Sequence, residues 1–363
     1  MRAHATGRPR SPFRAASGAV VWRAAAALLV LCAAARAEEI RIEVARGARA
    51  ARVVARGRSH AITLGASGLS VDGKPTASAE FEGPLRLDGR ELPGRLHVFA
   101  DRGTLVAVNS VDLEHYVAAV VASEVPPSWP REALRAQAVA ARTFAVAQKI
   151  AQGPGARAHL GASVLDQVYK NAARPAQPAV EAARATSGEV LTWGAAPIAA
   201  YFTASCGGTS ESAEAAFNLA PGTTPYVRGG EDDGDLRDWT VRLPLAEITA
   251  SLRKAGRMQA EIQGIAVQSR TQGGRAQMLE LATSSGKRPL LAVELRQIVG
   301  YTRLPSLRFD VTLEKGLAVF RGKGSGHGVG LCQWGARGRA LGGASYREIL
   351  AHYYPGAEIR RMY

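Results

Sequence analysis

The sequence predicts an α+β protein with a β-rich first part, one well-defined helix and a glycine-rich loop near its end. Three observations carry that expectation. Residues 40–111 are mostly short alternating runs broken by glycine, the pattern of a β-meander. Residues 130–150 are alanine-rich, and Leu134, Ala138, Ala141 and Ala145 recur at helical spacing. From Gly322 to Gly330 every second residue is glycine, a run that disfavours helix, weakens any strand and marks backbone brought close to something else.

Taken in order, the first element concerns location. Arg2, Arg8, Arg10 and Arg14 make a basic start, Arg23 leads into an apolar run over 24–35, and Ala35-Arg36-Ala37 offers a small-x-small cleavage site. Residues 1–37 therefore read as a secretory signal peptide, the apolar run being too short for a stable anchor. A retained anchor is the alternative. The expectation is an exported protein of the periplasm or cell wall, with no later segment apolar enough to cross a membrane. Removing residues 1–37 takes away six arginines and no acids, lowering the formal charge from +15 to +9. Outside the cytoplasm, a basic surface meets wall or membrane polyanions or simply keeps the protein soluble. No zinc-finger, RNP or helix-turn-helix pattern supports a nucleic-acid partner. Only Cys206 and Cys332 survive processing, so this is no disulfide scaffold and the fold must rest on a core.

The β-rich region, 38–111, has runs at Ala61–Leu64, Leu69–Val71, Leu85–Leu87 and Leu96–Phe99, with turns at Asp72-Gly73 and Asp88-Gly89. The helix over 130–150 takes Ser128 as a candidate N-cap and Pro130 in its first turn, and Gln152-Gly-Pro-Gly155 stops it. Arg135 and Arg142 lie seven residues apart and share a face away from the alanine stripe. A shorter helical stretch follows at 176–186, then strands at 189–193 and 197–202 and a turn at Ser205–Gly208. Residues 240–320 mix short strands with one helix near 290–298, and 346–352 reads as a closing helix stopped by Pro355.

Two strings carry chemistry. In Gly322–Gly335, His327, Gln333 and Trp334 supply a titratable ring, an amide and a flat apolar plate, a set suited to gripping a sugar. The string fits neither phosphate-loop fingerprint. Glu124 lies between the apolar run 116–122 and a proline-rich turn, where apolar neighbours penalise the charged form, as a general acid requires. The competing reading of Glu124 is a solvated carboxylate at a helix N-terminus, favoured by the macrodipole. His327 has backbone hydrogen bonding as its alternative, Trp334 core packing and Arg142 a helix-anchoring salt bridge. Cys206 could pair with His327 as a hydrolase nucleophile, although a structural role suits it better.

Four blocks together resemble the stage II sporulation protein D (SpoIID/LytB) family. They are Tyr116–Glu124, Pro130–Phe144, Ala204-Ser-Cys-Gly-Gly208 and Gly326–Ala336, followed by Tyr346–Pro355, and they run in the family's order from about Asp112 to the C-terminus. The resemblance implies a peptidoglycan-acting domain over 112–363. The best understood members are lytic transglycosylases that cut peptide-stripped glycan strands, and a related branch is described as amidase enhancers. It implies Glu124 as catalytic acid/base. As substrate-binding residues it implies Arg135, where the family often has lysine, Arg142, Ser205, Cys206, Gly207, His327, Gln333 and Trp334. Some members hold zinc through Cys and His just before a Gln-Val-Tyr string. The matching stretch here, His159–Tyr169, has one histidine and no cysteine, too few ligands for four-coordinate zinc. No metal and no cofactor are therefore expected. The implied partners are glycan strands and, on the enhancer reading, a wall amidase. Whether Cys206 and Cys332 pair is left open.

Overall fold

The computed structural model describes residues 38–66, 68–161, 169, 173–232 and 238–363. Residues 1–37, read above as a signal peptide, lie outside the described residues, as does 162–168 of the stretch matching the zinc-bearing segment. Two antiparallel sheets form the β-rich start. One orders strands Glu39–Arg46, Thr104–Asp112, Arg95–Asp101 and Ser78–Glu82 side by side; the other holds six strands between Ala50 and Leu92. Val53, Ile62, Leu85, Leu96, Val98 and Leu105 alternate inward from the two sheets and share one core. Both Asp-Gly turns form as expected. Asp72 and Asp88 take φ of 51° and 48°, and the glycine after each is also positive, the two-residue hairpin geometry that suits strand twist.

The far face of Glu39–Arg46 brings Ile40 and Ile42 against a helix absent from the sequence reading, α1 (Leu113–Glu124). Asp112 caps it, accepting from His115 N at 2.9 Å. The spine of the molecule is α2 (Arg131–Gln152). Its Leu134, Ala138, Ala141 and Ala145 pack on α1 and on α3 (Gln177–Ala185), while Ala136, Val139 and Ala140 enter a second core. Alanine on both sides lets neighbouring elements approach closely. The N-cap of α2 is Pro130 rather than Ser128, with no side-chain bond, because the Pro126–Pro130 turn delivers the chain already extended.

Strand Glu189–Trp193 follows, then an irregular segment to Phe202–Thr203 and the short α4 (Ala213–Phe217). Residues 238–323 build a separate core from two three-stranded antiparallel sheets and two helices, α5 (Leu245–Lys254) and α6 (Ala292–Val299), where the sequence suggested one. The chain closes with α7 (Gln333–Leu341), α8 (Tyr346–Tyr353) and a strand, Glu358–Arg361, paired with Glu189–Trp193. Ser345 and Glu348 make a capping box on α8. Among the described residues no helix is long and apolar enough to cross a membrane.

Candidate active site

Segments more than a hundred residues apart in sequence meet at the start of α7. Phe202–Thr203 pairs in parallel with Leu331–Cys332, and Ser205 and Ser325 exchange two backbone hydrogen bonds of 2.9 Å. Trp334 N then donates to Ala204 O at 3.2 Å. This lacing needs glycine. At Gly330, with φ of 71°, a Cβ would run into the Tyr201 carbonyl, so the alternate glycines supply close backbone approach, as their spacing suggested.

Gln333 opens α7 and is 3 % exposed, so packing fixes its amide. Its Nε2 donates to Glu124 Oε2 at 3.0 Å. Glu124 is the last residue of α1, half-buried, at the negative end of that helix's dipole. Beside the pair stand two indoles. Trp129, from the proline-rich turn, and Trp334 meet nearly edge-on, with ring centroids 5.1 Å apart and planes at 64°. The Arg337 guanidinium lies 5.3 Å from the Trp334 ring and 6.0 Å from Trp129. Both indoles are half-buried, each at the edge of a different core. Trp129 and Arg337 were missed from sequence. The available signals were the indole in the string after Glu124 and an arginine one helical turn beyond Trp334.

Arg142 belongs elsewhere. It is fully buried and forks onto Glu114, with Nε to Oε1 at 2.8 Å and Nη2 to Oε2 at 2.6 Å. It also donates to the carbonyls of Ala183 and Glu189 and to Thr186 Oγ1. Burial works against the Glu114 charge, but the Arg142 bonds and charge prevail and hold the carboxyl below its usual range. Glu114 and Glu124 lie near opposite ends of α1, about 15 Å apart at 1.5 Å per residue. Arg142 thus anchors α1 to α2 and has no face for substrate, which corrects its expected binding role. Arg135 pairs with Glu132 at 2.7 Å, and Glu132 accepts from Tyr346 N, so this pair ties α2 to the start of α8.

His327 turns one ring nitrogen back to its own loop. Nδ1 accepts from Val329 N at 3.0 Å, and the ring sits 5.4 Å from Phe217 and 6.4 Å from Tyr201. Burial, with the charges of Arg296 and Arg275, pushes its pKa down to about 4. Ser205, Cys206 and Gly207 form a buried turn in which Gly207 N donates to Ser205 Oγ. Both thiols are free: Cys206 Sγ faces Asp232 Oδ2 at 3.6 Å, and Cys206 N donates to Cys332 Sγ at 3.3 Å. A Cys206–His327 nucleophile pair is therefore not assembled, because the thiol is 1 % exposed and the ring is bonded to Val329. His159, the lone histidine of the zinc-like stretch, is buried with both ring nitrogens against N–H donors of Arg41. Two clefts, of about 460 and 390 Å³, are lined by residues such as Phe99 and Arg157, or Leu252 and Met258, and by none of the motif blocks.

What the site and fold define is an α+β protein whose motif blocks converge on a glutamate held by an amide beside paired indoles. Comparison with known proteins supplies its kinship. A family model described as stage II sporulation protein matches residues 101–193, and a domain of unknown function matches 228–330. The chain is 32 % identical over 274 residues to stage II sporulation protein D of Bacillus amyloliquefaciens, covering 70 % of this chain and 75 % of that one. It is 31 % identical over 283 residues to an uncharacterised protein of Brachyspira hyodysenteriae, covering 77 % and 75 %. An amidase enhancer of Bacillus subtilis is 28 % identical over 66 % of this chain and 39 % of its own length. The chain belongs to the stage II sporulation protein D family.

Proposed function

We propose that this protein is an exported lytic transglycosylase that cleaves the bond between N-acetylmuramic acid and N-acetylglucosamine in peptide-stripped peptidoglycan strands. The observation that carries the reading is the Glu124 carboxyl, gripped by Gln333 beside the Trp129–Trp334 pair. Ordinary glycosidases use two carboxyl groups, one protonating the leaving oxygen and one serving as nucleophile or base. A transglycosylase manages with one, because the nucleophile is part of the substrate. Glu124 protonates the bridging oxygen. As carboxylate it then accepts the proton of the muramyl C6 hydroxyl, whose oxygen attacks C1 and closes a 1,6-anhydro ring. An internal hydroxyl acts at high effective concentration, so no bound water is required. Gln333 holds one carboxyl oxygen and so fixes the orientation of the acid. The indoles supply a platform for sugar faces.

The test is incubation with peptide-free glycan strands and mass analysis of the products. Anhydro-muramyl ends are expected; ends that have gained water would make the protein a hydrolase. Glu124→Gln, which preserves shape and the Gln333 bond, should abolish cleavage without moving the melting temperature. Cleavage that survives this substitution removes Glu124 from the mechanism.

A second reading follows from the relative named amidase enhancer: a wall-binding protein that stimulates an amidase without cutting glycan itself. Retained strand binding with no cleavage, together with faster stem-peptide release by an added amidase, would select it. Export is tested by N-terminal sequencing of the secreted protein, which should begin at Glu38.

A further inference from the structure

We propose that Cys206, Cys332 and Asp232 form a buried site for a thiophilic divalent ion, zinc by ligand chemistry, which staples the 204–208 turn to the start of α7. The three residues come from separate segments and are 1, 0 and 3 % exposed. Both sulfurs and a carboxylate oxygen lie within 4.8 Å of one another. Tetrahedral bonds of about 2.3 Å to sulfur and about 2.0 Å to oxygen separate ligand atoms by roughly 3.5 Å. Cys206 Sγ stands 3.6 Å from Asp232 Oδ2. Two thiolates and a carboxylate are a donor set that suits zinc over magnesium or calcium, which prefer oxygen throughout.

The surroundings fit the same reading. Cys332 Sγ accepts two backbone N–H groups, from Cys206 at 3.3 Å and Gly335 at 3.4 Å, which fix the position of the sulfur. Tyr353 donates its hydroxyl to Asp232 Oδ2 at 2.7 Å and so orients the carboxylate, as outer-shell partners of metal ligands do. A Cβ at Gly335 would collide with both that hydroxyl and the carboxylate, so glycine is what lets Asp232 reach the first turn of α7. A disulfide would occupy the two sulfurs and leave the carboxylate no part. Without metal the Cys206 thiol donates to Asp232 Oδ2; a divalent cation would take the place of that proton and hold thiolate and carboxylate together. The second carboxylate oxygen or a water completes four-coordination. This site is separate from the His159–Tyr169 stretch, the only place where the sequence prompted a search for zinc.

The test uses the full chain, reduced and freed of metal, titrated with Co²⁺ and then Zn²⁺. One equivalent of Co²⁺ should bring a thiolate-to-cobalt charge-transfer band and the intense d–d bands of a four-coordinate site, both erased by Zn²⁺, with a higher melting temperature. Cys206→Ser and Cys332→Ser should each remove the charge-transfer band. Asp232→Asn and Tyr353→Phe should keep it but weaken Co²⁺ binding about tenfold or more, and they carry the test should the cysteine variants fail to fold. The proposal is overturned by a protein whose two thiols titrate freely while Co²⁺ gives no such band. An intact mass short of two hydrogens, meaning a disulfide, overturns it equally. None of these readouts depends on glycan cleavage.

Discussion

At the scale of single residues, position relative to solvent separates chemistry from architecture. Glu124 and Arg142 lie in adjacent motif blocks, yet one ends a helix half-open to solvent and the other is sealed inside. Arg142→Met leaves Glu114 without its fork and should cost about 3 kcal/mol of stability, somewhat less than a fully enclosed pair because Glu114 keeps partial access to water. Chemical denaturation measures it, and a stable variant with impaired glycan binding would restore the substrate role. Gln333→Met removes the donor to Glu124. A hydrogen bond to a charged group is worth about 1.5–3 kcal/mol, so kcat should fall about tenfold to a hundredfold with KM little changed. An unchanged kcat would show that the carboxyl needs no positioning from α7.

Among the elements, the glycine loop and α7 act as one device, lacing three segments together through backbone groups. Gly330→Ala places a Cβ against the Tyr201 carbonyl at a positive φ, and should cost about 2 kcal/mol or more. Thermal unfolding reads this, and a neutral outcome would mean the loop tolerates a shift. Trp129→Ala removes half of the indole pair and should weaken binding to glycan strands while leaving α2 intact by circular dichroism. Affinity equal to the parent would exclude the platform. Two of the helices that escaped the sequence reading did so for definable reasons. In α1, residues 116–121 are buried all round, so no polar face reveals the helical period. In α7, Gly335 and Gly338 depress local propensity, and the helix forms because Cys332 caps it and the neighbouring core receives Ala336.

For the molecule as a whole, buried ionisable groups make acid the weak side. Burial, with nearby positive charge, pushes His159 and His327 down to about 4 each, so the folded state disfavours their protonation. The unfolded chain binds those protons near 6.5. Stability is therefore complete above the unfolded value and is lost as pH falls from about 6.5 towards 4, by up to about 3 kcal/mol for each ring. Glu114 adds to the loss at lower pH, since its carboxyl is held down by Arg142. Melting temperature measured across this range should decline with falling pH, and a flat profile would mean that neither ring is protected from protonation.

The sequence by itself determined the α+β class, the Asp-Gly hairpins, the alanine spine and the short list from which the site is drawn. These are local matters of periodicity, turn chemistry and backbone freedom, and each is settled within a few residues. Tertiary structure alone decided which of those residues meet. It joined Glu124 to Gln333 across 209 positions, added Trp129 and Arg337, withdrew Arg142 into an ion pair and gathered Cys206, Cys332 and Asp232 in one pocket. Convergence of that kind follows from how cores close and which carbonyl meets which amide, and no spacing along a single chain encodes it.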